Sequence, residues 1–430
     1  MTDPASPSPA NQGAPRVADD TPTTDGTPAP GRSGLLDIFL TFLRLGCVSF
    51  GGPVAHLGYF QEALVRRRRW MSEAAYAELV ALCQFLPGPA SSQVGYAIGL
   101  MRGGWLGGVL AWIGFTLPSA AIMIAFAYGV GADPAASTAG WMQGLKIAAA
   151  AVVAHAVWSM ARKLCPTLAH VAIALVVAVP LAVQPTALGQ IVALLAAALA
   201  GVVLFRASVT GPANADALED AELHLPLGRT STRVALAGFF VLLLGLPLLA
   251  WAADDRALSM FADFYKAGAL VFGGGHVVLP LLEAAMVPAY LNHNDFLAGY
   301  GAAQAVPGPL FSFSAYCGTY GPAPLNGWLG GLVMLAAIYL PSWLLVAGVL
   351  PLWNRIRTNR RLRAALAGAN AGVVGLLGAA FYNPVLLSSV HDWAGLALGL
   401  ALFAALQFLK APSWAVVIAA ALAGWAIWGA

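Results

Sequence analysis

Four short interruptions break the apolar stretches of this chain, and they come in two matched pairs. Arg44-Leu-Gly46 running to Phe50-Gly51-Gly52 recurs 222 residues later as Lys266-Ala-Gly268 running to Phe272-Gly273-Gly274. Gln84-Phe-Leu-Pro87-Gly88-Pro89 recurs at an offset of 220 as Gln304-Ala-Val-Pro307-Gly308-Pro309. Trp105-Leu-Gly-Gly108 and Leu117-Pro118-Ser119 recur at 223 as Trp328-Leu-Gly-Gly331 and Leu340-Pro341-Ser342. Four landmarks in one order at nearly one offset define two copies of one unit, 34–206 and 257–430, joined by 207–256.

The units belong in a membrane. Hydrophobic residues make up 59% of the 430 and charged residues 10%, against about 25% charged in a soluble domain. More than half of the charges lie in four stretches, 1–33, Arg66–Arg69, 206–233 and Arg355–Arg363. Apolar spans run at 104–131, 141–161, 167–183, 187–205, 234–252, 327–352, 364–382, 392–409 and 412–430, each near the ~20 residues that cross a bilayer as a helix. Residues 1–33, rich in Pro, Thr, Ala, Gly and Asp without aromatics, read as a disordered cytoplasmic tail with no apolar core of signal-peptide type. Residues 207–256 read as a cytoplasmic loop and a linking transmembrane helix.

The net charge of +3 comes from arginine clusters beside apolar segments, which anchor a membrane protein and give no support to a nucleic-acid partner. Cys47, Cys83, Cys165 and Cys317 are far apart with no CxxC pair, so neither a disulfide framework nor a metal site is indicated. No phosphate-binding loop is present, so transport would be driven by a gradient. No H-E-x-x-H, G-x-S-x-G or carboxylate cluster points to an enzyme.

Arginine placement gives the orientation. Arg66–Arg69 follows the first break, whereas the equivalent stretch near Met286–Leu291 has no arginine; Arg355–Arg363 follows the second Leu-Pro-Ser span, whereas Ala132–Gly140 carries only Asp133. If Lys and Arg mark the cytoplasmic side, the copies face opposite ways. Arg32, Arg162, Lys163, Arg206, Arg229, Arg233 and Lys410 then fall inside and Asp254-Asp255 outside. The expected fold is an all-α polytopic membrane protein of two inverted-topology repeats, with broken half-helices meeting near the midplane and a cytoplasmic N-terminus.

Non-helical backbone at membrane depth persists only where it is buried in protein or lines a cavity. Proline suits the first turn of a helix and glycine lets chain or ligand approach closely. Half-helices starting near Pro53, Pro89, Gly275 and Pro309 would present free N–H groups and the positive end of the helix dipole to an anion. The candidate substrate-binding set is therefore Arg44, Gly51, Gly52, Pro53, Gln84, Pro87, Gly88, Pro89, Lys266, Gly273, Gly274, Gly275, Gln304, Pro307, Gly308 and Pro309.

Arg44 and Lys266 occupy equivalent positions inside apolar segments, where an ionisable group faces a cavity or a partner; as a pair they would attract a dianion, or each would snorkel or pair with an acid. His56 and His276, just beyond the breaks, are candidates for carrying a coupling proton or bonding an oxyanion, or are structural. Gln84 and Gln304 would donate to an oxyanion or tie the broken backbone. Ser91, Ser92, Ser312 and Ser314 would add hydroxyls, cap a turn or pack helices. Lys146 and His155 on one span, with Asn370 on its counterpart, would face the cavity or hold helices together. Glu62 and Glu283 are candidate partners of the cations or proton carriers.

Arg44-Leu-Gly-Cys-Val-Ser-Phe50-Gly-Gly-Pro53, Pro87-Gly88-Pro89 and Gly95-Tyr96, with their echoes in the second copy, resemble the chromate ion transporter family in its long, two-domain form over about 35–430. The resemblance implies a secondary transporter of the bacterial inner membrane that expels chromate, confers chromate resistance and draws on the proton motive force. By motif it puts Arg44, Phe50, Gly51, Gly52, Pro53, Pro87, Gly88, Pro89, Gly95 and Tyr96 at stake. The second copy departs from it with Gly275 for Pro53 and Lys266 for Arg44. The expected partners are a small inorganic oxyanion (chromate or sulfate, which shape and charge do not separate), protons, the lipid bilayer and a second copy in a homodimer; no cofactor is expected.

Overall fold

The computed structural model describes residues 33–132, 139–184, 186–205, 228–272, 275–287, 289–353 and 359–429, and every regular element among them is helical. The tail 1–32, the loop 206–227 and the pair Gly273-Gly274 lie outside the described residues.

The first repeat comprises α1 (Ser33–Val48), α2 (Gly52–Phe60, continued by a π-helical turn Gln61–Arg67), α3 (Glu73–Phe85), α4 (Ala90–Ala132), α5 (Gly140–Leu164), α6 (Leu168–Val183) and α7 (Ala187–Phe205). The link is α8 (Arg229–Ala253). The second repeat comprises α9 (Arg256–Leu270), α10 (Val278–Met286, after a 3-10 turn Gly275–Val277), α11 (His293–Ala303), α12 (Phe313–Thr319, after a 3-10 turn Leu310–Ser312) and α13 (Gly327–Val349). It closes with α14 (Arg360–Ala380, extended to Ser389 through a π-helical turn), α15 (Trp393–Gln407) and α16 (Ser413–Trp428). α4 corresponds to α12 plus α13, and non-helical Gly103 and Gly104 mark the joint between its halves.

Helices coincide with all nine apolar spans, and those of α4, α5, α7, α8, α13 and α14 are long and apolar enough to cross a membrane. α6, α15 and α16 are shorter than their apolar runs at 16, 15 and 16 residues, about 24 Å at 1.5 Å per residue, less than a bilayer core of about 30 Å. Thr167, Asp392 and Pro412 stand at their N-caps, and of the three the Asp392 side chain caps its helix by accepting from Gly395 N. Two-thirds of the apolar windows of α5, α13 and α14 are buried but only 17% of that of α8, so α8 runs along the outside.

Equivalent helices run antiparallel. Trp112 of α4 packs on Trp343 of α13, ring centroids 4.6 Å apart, while Trp328 N donates to the Tyr128 hydroxyl at 2.9 Å. Numbers rise in α4 as they fall in α13, although these segments are copies of one another. At the start of α5, Gln143 Nε2 donates to Ser389 O at the far end of α14, its own counterpart, at 2.7 Å. Between repeats the outer helices are exchanged: a Cβ on Gly144 of α5 would strike the Ala420 carbonyl of α16, and one on Gly368 of α14 would strike the Ala197 carbonyl of α7. Small residues admit this contact, which packing alone stabilises where lipid is as apolar as the side chains.

Candidate functional site: four chain breaks at one locus

Each break is built by local chemistry. α1 ends at Val48, and Gly51, left-handed at φ 97°, caps α2, whose first turn takes Pro53 and receives no side-chain cap. α3 ends where Leu86 turns extended, the conformation a following proline imposes, and α4 starts directly after Pro89. Pro309, also extended, precedes the 3-10 turn at Leu310, again without a side-chain cap. The four restarts fall at the expected positions, and uncapped first turns leave N–H groups open.

The breaks meet crosswise. Gly308 N donates to Ser49 O at 2.8 Å, joining the second break of the second repeat to the first break of the first. Gly88 N donates to Val271 O at 2.6 Å, joining the other two. Each Pro-Gly-Pro also rests on the Leu-Pro-Ser turn of the opposite repeat. A Cβ on Gly308 would lie 3.0 Å from Ser119 Oγ, and one on Gly88 would overlap Ser342 Oγ. Both glycines have φ values only glycine adopts readily, 96° and 124°. Gln93 Nε2 secures its own break by donating to Pro87 O at 2.6 Å, and Ser92 Oγ lies 3.4 Å from the Tyr339 hydroxyl across the repeats.

The backbone is symmetric and the side chains are not. In the first repeat His56 is buried with Nδ1 3.3 Å from Ser91 Oγ, while His56 Nε2 and Ser49 Oγ are buried without a partner among the described residues. At the offsets given above the second repeat has Val278, Phe311 and Val271 in place of His56, Ser91 and Ser49. Ser312, contributed from the second repeat, also carries a buried unpartnered hydroxyl, whereas Ser314 donates to Phe311 O as a local cap.

Other candidates are dispersed. Arg44 is exposed on the outer face of α1 with Leu36, Leu40 and Val48, and has no side-chain partner among the described residues. Lys266 donates to Asp263 at 2.6 Å, so its charge is balanced. Glu62 pairs with Arg67 at 2.9 Å and with Arg66, and Glu283 contacts His293 at 3.0 Å, so neither acid is the partner of the matched cations. His276 Nδ1 lies 2.9 Å from the Tyr300 hydroxyl. Gln84 is exposed, whereas Gln304 is half-buried with its amide nitrogen unpartnered. Buried Lys146 donates to Asn294 at 3.3 Å, His155 packs against Phe403, and Asn370 is half-buried on α14. Gly95 abuts Phe42, and Tyr96 is buried and stacked on Trp343. At the surface end of α3, hydrogen bonds from Gln61 and then Arg66 hold the Glu73 carboxyl below the usual carboxylate range.

Sequence reasoning did not assign Ser49, Gln93, Asp263, His293 or the Ser119 and Ser342 hydroxyls to any role. Ser119 and Ser342 stand in the repeated Leu-Pro-Ser turns, and Asp263 stands three residues before Lys266, one helical turn away.

Two antiparallel copies with interlocked, uncapped breaks define a polytopic membrane transporter of inverted-repeat construction. The family model described as chromate transporter matches residues 36–202 and 258–425, most of the chain in two copies. The chain belongs to the chromate transporter family. It is 29% identical over 419 residues to the chromate transport protein of Pseudomonas aeruginosa, covering 94% of this chain and 95% of that one. It is 29% identical over 425 residues to a probable chromate transport protein of Synechococcus elongatus, covering 90% and 94%. It is 24% identical over 366 residues to an uncharacterised transporter of Methanocaldococcus jannaschii, covering 84% and 86%. No solved structure matches the chain.

Proposed function

We propose that this chain is a secondary active exporter that carries chromate out of the cytoplasm across a bacterial inner membrane, driven by the proton gradient, with its N-terminus cytoplasmic. Units 34–206 and 257–430 act as the two halves. The dianion sits where the breaks converge, against the amides that follow Gly51-Gly52-Pro53 and Pro307-Gly308-Pro309, with the His56, Ser91 and Ser49 side chains beside it. Open amides at helix starts favour an anion by hydrogen bonding and by the dipole together. Arg44 contributes as an uncompensated positive charge near the break, raising the local anion concentration, while Asp263 neutralises Lys266.

The observation that carries this reading is the reciprocal pair of bonds, Gly308 N to Ser49 O and Gly88 N to Val271 O. A site assembled from both repeats can open alternately to either side when one repeat rocks against the other. The test is uptake of labelled chromate and labelled sulfate into inverted membrane vesicles, with and without a proton gradient. Gradient-stimulated chromate uptake that excess sulfate leaves intact is the expected result. Preferential sulfate uptake would reassign the cargo, and gradient-independent flux would make the protein a passive pathway. Arg44→Ala is expected to raise whole-cell chromate accumulation, and equal accumulation at equal expression removes Arg44 from the path.

A further inference from the structure

A cavity of about 220 Å³ lies where α6 and α7 of the first repeat meet α10, α11 and α14 of the second. Its wall is apolar except for Gln190, Asn383, Glu283 and His293. Glu283 is 9% exposed and its Oε1 lies 3.0 Å from His293 Nδ1; the other ring nitrogen, Nε2, is buried without a partner. Buried ionisable groups in a membrane protein are expensive to maintain and mark ion or proton pathways. A histidine beside a carboxylate changes charge within the physiological range.

The first repeat shows that the fold does not need this chemistry. There the equivalent contact joins Gln61 to Glu73 at the exposed end of α3, and by the same offsets Gln61 corresponds to Glu283 and Glu73 to His293. Both contacts tether a half-helix to the start of the next helix. The second repeat makes its tether from a histidine and an acid, and both line the cavity. A smaller adjoining cavity, which shares Gln190 and Ala284, holds the Asp263–Lys266 pair; at the position of Asp263 the first repeat has Thr41.

We propose that Glu283 and His293 form the proton-binding site of this transporter. The proton adds to the open Nε2 of His293, converting a neutral imidazole beside a carboxylate into an imidazolium–carboxylate pair, and leaves from the same atom. The other charged and titratable groups on the elements packed around the site are Asp263 and Lys266 of α9 in the adjoining cavity, Asp295 two residues after His293 on α11, Lys146 of α5, which donates to Asn294, and His276 on the turn before α10, which contacts the Tyr300 hydroxyl. α7 contributes uncharged Gln190, and the residues of α14 and its extension that line the cavity are uncharged, Asn383 being the polar one. The turn between α10 and α11 is the counterpart of the Arg66–Arg69 turn, so in an inverted repeat this site opens on the side away from that cluster. That is the side from which a proton must enter to drive an anion outward.

The coupling role rests on the function proposed above, but proton binding does not, so two measurements are paired. Purified full-length protein without substrate is titrated from about pH 8 to about pH 5, where a histidine changes charge, and followed by infrared difference spectroscopy. Wild type is expected to show an imidazole band that disappears in H293Q, which keeps a donor for Glu283, and that shifts in E283Q. No band assignable to His293 over this range overturns the proposal, whatever the cargo. In liposomes both variants are expected to keep chromate–chromate counterflow within about threefold of wild type and to lose at least tenfold of the accumulation driven by a pH gradient. Gradient-driven accumulation at the wild-type level in H293Q, or equal loss of counterflow in monodisperse protein, overturns it.

Discussion

Gly88→Ala tests the interlock between the repeats directly. At φ 124° an alanine is strained, which costs about 1–3 kcal/mol. Its Cβ would also overlap Ser342 Oγ and lie 2.5 Å from Gln93 Nε2, the group that ties down Pro87 O. Forcing such a methyl into a filled site costs about 1–3 kcal/mol more, so the sum is roughly 2–6 kcal/mol. Gly308→Ala carries the strain but a milder contact, 3.0 Å to Ser119 Oγ and 3.3 Å to Phe115 O, and is expected near the lower half of that range. Gly58→Ala, inside α2 with nothing within 4 Å of its Cβ, is expected to be neutral or to gain up to about 1 kcal/mol in helix propensity. The assay is the fraction of purified protein that stays monodisperse after stepped heating. The expected order from least to most stable is Gly88→Ala, Gly308→Ala, wild type, then Gly58→Ala. Adding Ser342→Ala to Gly88→Ala removes the colliding oxygen, and a coupling of about 0.5–3 kcal/mol should appear as partial recovery. If Gly88→Ala is as stable as Gly58→Ala, or if the double variant is strictly additive, the crosswise contact is not what holds the breaks together.

Gly144→Ala and Gly368→Ala should each weaken the fold, and by similar amounts, because each methyl meets a carbonyl of the exchanged helix from the other repeat; a large effect at one and none at the other would contradict the pseudo-two-fold exchange. In a background lacking Cys47, Cys83, Cys165 and Cys317, a cysteine at Arg67 and one at Ala289 should react with an impermeant maleimide from opposite sides of the membrane, and labelling from the same side removes the inversion. Asp263→Asn should leave Lys266 unbalanced beside its cavity, with a loss of no more than about 1 kcal/mol because the pair is partly exposed; thermal shift against wild type reads it, and a large destabilisation would mean that the pair is fully desolvated.

The duplication, the four breaks and the opposed orientation were legible in the chain because each is written in residues whose effect is local. Proline and glycine end and restart helices wherever they stand, and arginine clusters report a side of the membrane. The direction in which a given side chain faces is not local. Arg44 sits in an apolar run that reads as buried, yet the contact of α1 with α4 is made by the opposite stripe, Ile38, Phe42, Leu45 and Gly46, and leaves Arg44 outside. Lys266, its counterpart, is more enclosed, and Asp263 one turn earlier was readable as its partner. The contacts of Ser49 with Gly308 and of Glu283 with His293 depend on how separate helices dock, and no spacing in the sequence reports that.

Inverted repeats provide the same backbone twice, and this chain has used the second copy differently. Around the crosswise break the first repeat places Ser49, His56 and Ser91 where the second has Val271, Val278 and Phe311; at the outer cavities the second repeat places Asp263, Glu283 and His293 where the first has Thr41, Gln61 and Glu73. A dianion and a carboxylate repel wherever they share a low-dielectric space, so a protein that handles both a doubly negative cargo and a proton gains by keeping its acids away from the hydroxyl and imidazole donors proposed for the anion. The two groups of substitutions lie in opposite repeats but are joined by α9 and the break at Val271, whose carbonyl receives Gly88 N. A change in charge at Glu283 and His293 therefore has a short structural route to the break. That route predicts that Val271→Pro, which keeps the carbonyl but disfavours the helical conformation of Leu270 and so disturbs the last turn of α9, should uncouple gradient from cargo while leaving counterflow. Counterflow measured beside gradient-driven uptake decides it: loss of both together would place Val271 in the anion site itself, and loss of neither would show that the two chemistries communicate by another path.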